Sequence, residues 1–236
     1  SDRRSQDLRQ RYLFAHDQIQ AAAYSLLNEV DRPRYHRTIG EHLLAKLEPE
    51  KRGDRIFEIV SHLNLGADQQ SDTSSRLRLN IDAGRRALKA AAYSSALSYL
   101  LTALQLLGQE GWEGDYELTL LVHIEAAEAA YLCADFETVA RLTDEVVDRA
   151  RDNLTIARIH DVKVQALMAE RRLSEAVETG FHALALLGEE MPVQATPQEV
   201  AEEFEAVQRA VPASQIEALG ELQAMVCPQK LAAMRM

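Results

Sequence analysis

The sequence is poor in aromatic side chains and has no long hydrophobic run. Only 6% of its 236 residues are aromatic although 47% are hydrophobic. Strands favour β-branched and aromatic residues whereas Ala and Leu favour helices, so this composition predicts closely packed helices. No run of about eighteen apolar residues occurs and the first residues do not resemble a signal peptide, so we expect no membrane span.

Cysteine is scarce as well. Cys133 and Cys227 are the two thiols of the chain, and they lie far apart in the sequence. So few cysteines fit a protein of the reducing cytoplasm, where disulfides are rare. We expect both side chains to be buried as small apolar groups rather than to form a redox pair.

Signatures of catalysis are missing too. No Gly-Lys dipeptide occurs, which excludes a Walker A loop for binding nucleotide phosphates. The kinase loop motifs, His-Glu-x-x-His, Gly-x-Ser-x-Gly and Cys-x-x-Cys are also absent, which argues against several classes of enzyme. The sequence therefore predicts no catalytic residue, no cofactor-binding residue and no metal ligand, and we expect the chain not to be an enzyme.

The histidines give no clear pattern of metal ligands. His36 and His42 fall on different faces of one predicted helix, and four others have no mutual spacing typical of ligands: His62, His123, His160 and His182. A pair at the start, His16 and Asp17, has the order of a phosphoacceptor histidine. The simpler interpretation is that Asp17 lies at a helix N-terminus, where a carboxylate is favoured.

Acidic residues are concentrated in the second half of the chain. Residues 1–60 hold 11 basic and 10 acidic side chains, whereas residues 110–236 hold 10 and 24. Binding to a nucleic-acid backbone requires clustered Lys and Arg, so we expect no nucleic-acid partner. The acidic half indicates solvated outer faces of helices or a docking surface for a basic partner.

A nearly continuous helical periodicity, broken by short turns, runs along the chain. After a short strand at residues 12–14, it predicts helices at about residues 17–28, 32–47 and 52–65. Residues 67–75 are polar and indicate a linker, with a helix cap near Asp72. Trp112 lies at the entrance of a later helix, where we expect it to pack between repeats.

A motif at residues 14–24 carries a family resemblance. Its pattern is Phe-x-His-Asp-x-Ile-x-x-Ala-Ala-Tyr, which resembles the winged-helix end of STAND-type ATPases in bacterial multi-sensor histidine kinases and Ser/Thr kinases. Residues 55–64 and the closing Lys-Leu-Ala-Ala-Met-Arg run also fit this family. The resemblance implies that residues 1–66 form a winged-helix end with connecting helices, and that the chain is the repeat arm of a longer signalling protein.

Three helical hairpins repeat between residues 76 and 190. Their second helices begin with an aromatic or large residue, followed by a small one three positions later and another seven positions after that: Tyr93, Ala96 and Ala103; Phe136, Val139 and Val146; Leu173, Ala176 and Ala183. This arrangement resembles tetratricopeptide repeats, in which small residues let paired helices approach closely. Gly84 and Ala127 occupy the small position of the first helices, and Val164 departs from it. The offsets are 43 and 37 residues, so the repeats are irregular.

Residues 191–236 indicate a fourth, degenerate pair. Gly108 and Gly188 follow Leu-Leu sequences and are predicted to end helices in the left-handed conformation. Thr196 caps the next predicted helix, and residues 213–217 have a capping-box pattern. A terminal repeat without a neighbour exposes apolar surface, so a homodimer through this end is expected.

These features predict an all-α protein, a right-handed tetratricopeptide-like superhelix with a short winged-helix remnant at its N-terminus. We expect a cytoplasmic scaffold for protein–protein interaction and intramolecular regulation, whose partner is another protein or other domains of its parent chain. Exposed residues of the first helices were candidates for the groove surface: Asn80, Arg85, His123 and Arg158.

Three alternatives remain open from the sequence. The first is a sensor that binds a small inducer inside the superhelix, as in related helical-repeat transcription activators. The others are an enzyme in its own right and a DNA-binding fragment built on the winged-helix remnant. Scarce aromatic residues disfavour the sensor, and the near-neutral charge of residues 1–60 disfavours DNA binding.

Overall fold

The structure, a computed structural model, describes residues 17–46, 53–68, 71–192, 194–212, 220 and 223–236. Within these ranges the chain forms helices and turns and no strand. The prediction of an all-α protein is therefore confirmed for this part of the chain. The strand predicted at residues 12–14 and the capping box predicted at residues 213–217 lie outside the described residues.

The chain folds into two compact units, Ser1–Leu79 and Asn80–Met236. The first unit contains α1 (Asp17–Ser25), α2 (Arg32–Lys46), a short 3-10 helix (Gly53–Arg55) and α3 (Ile56–Leu65). Helices α2 and α3 pack against each other, and α3 buries its apolar face, which consists of Ile56, Ile59, Val60 and Leu63. The helix predicted at about residues 17–28 ends earlier than expected, at Ser25.

A long helix, α4 (Thr73–Lys89), contains the boundary between the units. The cap predicted near Asp72 is present, because its Oδ1 accepts hydrogen bonds from the backbone N–H groups of Ser74 and Ser75 at 3.1 and 3.2 Å. The helix therefore begins within the segment that was predicted to be a linker.

The second unit continues with α5 (Tyr93–Leu107), α6 (Gly111–Gly114), α7 (Tyr116–Leu132), α8 (Phe136–Arg149), α9 (Asn153–Ala169), α10 (Leu173–Leu186), α11 (Pro197–Ala210) and α12 (Pro228–Ala233). Helix α7 packs on both α5 and α8, and α9 packs on both α8 and α10. Helices α7 and α9 thus each pack between two other helices of the unit.

The turns from α4 to α5, α7 to α8 and α9 to α10 share one backbone geometry. Each contains a residue other than Gly with positive φ, namely Ala91 at 56°, Ala134 at 57° and Arg171 at 63°. The N–H of the following residue donates to a carbonyl in the last turn of the preceding helix, at 2.9 Å in all three turns. This hydrogen bond closes the helix C-terminus as in a Schellman motif, so the chain reverses in the same way three times.

The small positions of the second helices lie inside the unit, as the spacing predicted. Six residues at these positions are at most 4% exposed: Ala96, Ala103, Val139, Val146, Ala176 and Ala183. On the first helices, Gly84 and Ala127 are buried, whereas Val164 is half-buried. The helices approach closely at Gly84, where an added Cβ would lie 2.7 Å from Cγ of Leu100.

Two turn predictions are confirmed and one is refined. Thr196 forms a full capping box with Glu199 at the start of α11. Gly188 has a positive φ of 86°. Gly108 has φ 58° and ψ −169°, which lies in a region open essentially to Gly alone rather than in the left-handed helical region.

The prediction that both cysteine side chains are buried is wrong. Cys227 is exposed and Cys133 is half-buried. Cys227 occupies the N-cap position of α12 in an extended backbone conformation, which places it outside the helix packing. Burial of the Cys133 thiol and the nearby Asp135 carboxylate raise the pKa of Cys133, so this thiol is poorly suited to act as a nucleophile.

Candidate functional site

A groove runs between α7 and α9 and is partly covered by α12. Its volume is about 490 Å³. Ile124, Glu128 and Leu132 share one face of α7, and Ala157, Asp161 and Gln165 share one face of α9, because residues four apart lie one above the other on a helix. The complete lining of this α7–α9 groove also includes Tyr131, Leu154, Arg158, Val162, Pro228, Leu231, Ala232 and Arg235.

The floor of the groove is apolar and its rim is charged. Ile124, Ala157 and Val162 are at most 5% exposed, so the helices meet through aliphatic side chains. The rim carries Glu128 from α7 and Asp161 from α9, together with Arg158. A mixed surface of this kind matches an amphipathic helix, which presents an apolar stripe bordered by charges.

The electrostatic environment of Glu128 reflects its place in the groove. Partial burial, followed by the neighbouring Glu125 carboxylate, raises the pKa of Glu128. The guanidinium groups of Arg158 and Arg235 act in the opposite direction. Burial and Glu125 outweigh these two guanidinium groups, so a further cation at this rim would favour the charged form of Glu128.

The carboxylate of Glu125 forms an ion pair with Arg85. Its two carboxylate oxygens accept hydrogen bonds from Nε of Arg85 at 2.8 and 3.0 Å. The pair joins α4 to α7, and the side chains of Arg85 and Glu125 are 35% and 18% exposed. This ion pair fixes neighbouring hairpins to each other, so Arg85 serves packing and is not a free charge on the surface.

Of the residues predicted to lie on the groove surface, some are exposed and others are buried. Arg158 lines the groove and is exposed, as expected. Asn80 is fully buried and His123 is 5% exposed, so their assignment to an exposed surface is wrong. The periodicity identified the correct helices but did not show which face points to the neighbouring second helices.

Three of the buried polar residues occupy one equivalent position in each hairpin. Asn80, His123 and His160 precede the positive-φ turn residue of their own hairpin by the same number of residues. His123 contacts the carbonyl of Thr119 through Nδ1 at 2.7 Å, and its Nε2 lies 3.5 Å from Oε1 of Glu145 on α8. This position therefore faces the second helix and specifies packing inside the unit.

Trp112 packs as the sequence predicted. It is 4% exposed, and its ring centroid lies 4.6 Å from that of His123 and 5.7 Å from that of Tyr116. Its Nε1 donates to Oε1 of Glu145 at 3.4 Å. The indole thus connects α6, α7 and α8 and offers no free ring face to a ligand.

Two histidine pairs were not anticipated from the sequence. His160 on α9 and His182 on α10 have ring centroids 5.4 Å apart. Burial and the nearby His182 and Lys163 lower the pKa of His160 to about 4, against the influence of Asp144. Its imidazole is therefore neutral near neutral pH.

The second pair lies in the first unit. Nδ1 of His36 and Nδ1 of His62 are 2.8 Å apart, and Tyr24 contacts Nε2 of His36 at 2.9 Å. Burial and the adjacent His36 lower the pKa of His62. Tertiary packing of α2 on α3 brings these rings together, and no sequence spacing reveals such a contact.

Neither pair extends into a metal centre. Across the described ranges, no group of three or more His, Cys, Asp or Glu side chains is arranged to hold a metal ion. The same ranges contain no helix that combines the length and the apolar character needed to cross a bilayer. His16 and the side chain of Asp17 lie outside the described residues, and α1 begins at Asp17.

Comparison with known proteins gives one distant similarity. The chain is 24% identical over 205 residues to Hybrid signal transduction histidine kinase G of Dictyostelium discoideum. The match covers 75% of this chain and 6% of that protein, so the chain spans a small part of its relative. No family model matches, and no solved structure matches. The similarity and the helical structure are consistent with a helical domain of a signal-transduction protein.

Proposed function

We propose that the chain is a non-catalytic scaffold in a signal-transduction protein and that its α7–α9 groove binds a helical protein segment. The observation that carries this proposal is the groove itself, in which a helix already lies against aliphatic residues between charged rims. The groove recognises shape, apolar area and charge, and its function requires no cofactor.

We further propose a tetratricopeptide-like architecture, a right-handed solenoid built from the hairpins α4–α5, α7–α8 and α9–α10. The repeated turn geometry at Ala91, Ala134 and Arg171 supports it. The burial of the small positions of the second helices supports it as well. In such an array, the first helices line one concave face, which is the face that the α7–α9 groove occupies.

The parent protein is proposed to be a signalling kinase with a STAND-type ATPase module. The distant similarity to a hybrid histidine kinase supports this assignment, and so does the motif at residues 14–24. Absence of phosphate-binding and kinase motifs in the sequence supports a role without catalysis for this segment. The ligand of the groove is either a separate protein or another segment of the parent chain.

Site-specific photo-cross-linking tests the proposed function. A photoreactive amino acid replaces Gln165, which is exposed in the groove, or Arg141, which is exposed on α8 outside it. Purified protein is irradiated in a cell extract, and the cross-linked peptides are identified by mass spectrometry. We expect a defined protein segment attached at position 165 and not at position 141.

Charge reversal supplies the control for this experiment. Glu128→Lys with Asp161→Lys reverses both acidic rim residues, and far-ultraviolet circular dichroism verifies that the helices persist. Cross-linking at position 165 should be lost in this variant. Equal capture at positions 165 and 141, or capture unaffected by charge reversal, would contradict a protein-binding groove.

A small-molecule sensor is the second candidate, because a cavity of about 490 Å³ lies within the size range of ligand pockets, roughly 300–1,000 Å³. Tyr131 is the aromatic residue in its lining, whereas pockets for small molecules are usually richer in aromatic groups. Stabilisation of the chain by a small molecule, abolished by a bulky replacement of Ala157, would favour this candidate over the scaffold.

A further inference from the structure

Helix α12 lies against α9 and lines the groove from the outside. Pro228, Leu231 and Ala232 contribute to its lining, and α12 packs against α9. The chain thus places one of its own short helices where the proposed function would place a partner helix.

One basic residue, Lys230, lies within this helix, and another, Arg235, follows it. Nζ of Lys230 pairs with the carboxylate of Glu189, which follows α10. Arg235 lines the groove and favours the charged form of Glu128. Leu231 lies between these two bases in the sequence, so residues 228–235 combine an apolar contact in the groove with one cation at its acidic rim and a second cation beside the end of α10.

The fit of α12 is incomplete. Leu231 remains 43% exposed and Met234 75% exposed, and a volume of about 490 Å³ persists between the segment and the groove helices. A helix of six residues has little stability of its own, because isolated helices shorter than about 12 residues are marginal in water. Because α12 is short and none of its residues is fully buried, its dissociation from the groove loses few contacts.

We propose that α12 is a displaceable intramolecular occupant, and that the groove selects helices with an apolar residue flanked by basic residues. The inference rests on the proposed function. The partner is a short amphipathic helix that carries a Leu-like side chain and two cations spaced as in Lys230 and Arg235. Such a helix fills the groove more completely than α12 and competes with it.

Tethering makes α12 an effective competitor despite its poor fit. Because α12 belongs to the same chain as its site, its binding is intramolecular, and the effective concentration of a linked segment can reach roughly millimolar. A partner must therefore bind more tightly than α12 does before it can enter. The segment sets a threshold for binding and discriminates against weak ligands.

Fluorescence anisotropy with a defined peptide tests this inference. The probe is a labelled synthetic peptide of residues 226–236, with Cys227→Ser to prevent oxidation. The releasing variant of the full chain combines Lys230→Gln with Leu231→Gln, and Met234→Gln is the matched control on an exposed residue of the same segment. We expect the releasing variant to bind the peptide about tenfold more tightly than the wild type and the control variant, because self-competition is removed.

A second peptide tests the selection for basic residues. It carries Lys230→Gln and Arg235→Gln, and it should bind the releasing variant several-fold more weakly than the original peptide. Added peptide should also accelerate hydrogen exchange in the α12 amides of the wild-type chain, which shows displacement directly.

Equal peptide affinity for the wild type and the releasing variant, or no measurable binding to the releasing variant, would overturn the inference. Equal binding of the charged and neutral peptides would overturn the selection for basic residues. These outcomes are distinguishable from failure of the proposed function, because cross-linking at position 165 reports partner binding without reference to α12.

Discussion

Burial determines the charge of His160 at the scale of single residues. The imidazole is 7% exposed, and its Nδ1 has no hydrogen-bond partner. A protonated ring at this position would lie near His182 and Lys163, so the folded protein binds a proton less readily than the unfolded chain does.

His160 should therefore make the second unit sensitive to acid. Its pKa is about 4 in the folded protein against its ordinary value of 6.5, so between these values the unfolded chain binds more protons and stability falls as the pH is lowered. From about pH 7 to about pH 5 this group should remove about 2 kcal/mol of unfolding free energy. Urea denaturation followed by Trp112 fluorescence measures the change.

His160→Gln should reduce this pH dependence, because it removes the titrating group. His42→Gln is the matched control, since His42 is exposed in the first unit, and it should leave the dependence unchanged. An unaltered slope in the His160 variant would show that another group causes the loss of stability.

Equivalent residues can serve different interactions at this scale. Arg85 of α4 and Glu128 of α7 occupy matching positions before their turn residues. Arg85 forms an ion pair with Glu125, whereas Glu128 lines the groove. The repeat pattern therefore does not by itself identify the residues that face a ligand.

At the scale of helices, small side chains determine how closely the hairpins pack. Gly84 on α4 lies against Leu100 on α5, which is fully buried and cannot move aside easily. Gly180 on α10 is the contrasting case, because an added Cβ there meets nothing within 4 Å.

Substitution of these two glycines should have opposite effects. Gly84→Ala forces a Cβ into Leu100, and we expect a loss of about 1–3 kcal/mol in unfolding free energy from overpacking. Gly180→Ala should be neutral or should stabilise by up to about 1 kcal/mol, since Ala is the better helix former. Urea midpoints compare the variants, and equal effects at both sites would contradict a close contact at Gly84.

Helix α11 shows the limit of local sequence signals. Its capping box and its first-turn acid are present, yet none of the residues described in this helix is buried. Val200, Phe204 and Val207 are each at least 58% exposed. Capping determines where such a helix begins, whereas its apolar face finds no cover among the described residues, and the expected homodimer at this end stays a prediction.

The acidic second half of the chain is relevant at the scale of the whole molecule. Residues 110–236 hold 24 acidic and 10 basic side chains, and the groove presents Glu128 and Asp161 at its rim. A basic helix approaching this surface gains from long-range attraction as well as from its contacts in the groove.

Peptide binding should therefore weaken with salt. Raising the ionic strength from about 0.1 M to about 1 M shortens the screening length from about 10 Å to about 3 Å. Exposed ion pairs are weakened by this screening, so the peptide of residues 226–236 should bind the releasing variant several-fold more weakly at the higher salt concentration. Anisotropy titrations at both salt concentrations measure this ratio. The neutral peptide should lose little affinity, and an equal loss would exclude the ion pairs of Lys230 and Arg235 as its cause.

The sequence determined the helices, their caps and the packing positions of the repeats. Small residues at Ala96 and Ala103 and the cap at Asp72 act through contacts within a helix or between adjacent helices, so a local pattern predicts them. Tertiary structure decided which faces meet. Asn80 and His123 are buried, His36 contacts His62, and α12 packs on α9. These contacts depend on helix rotation and on residues distant in the sequence, so no local pattern predicts them.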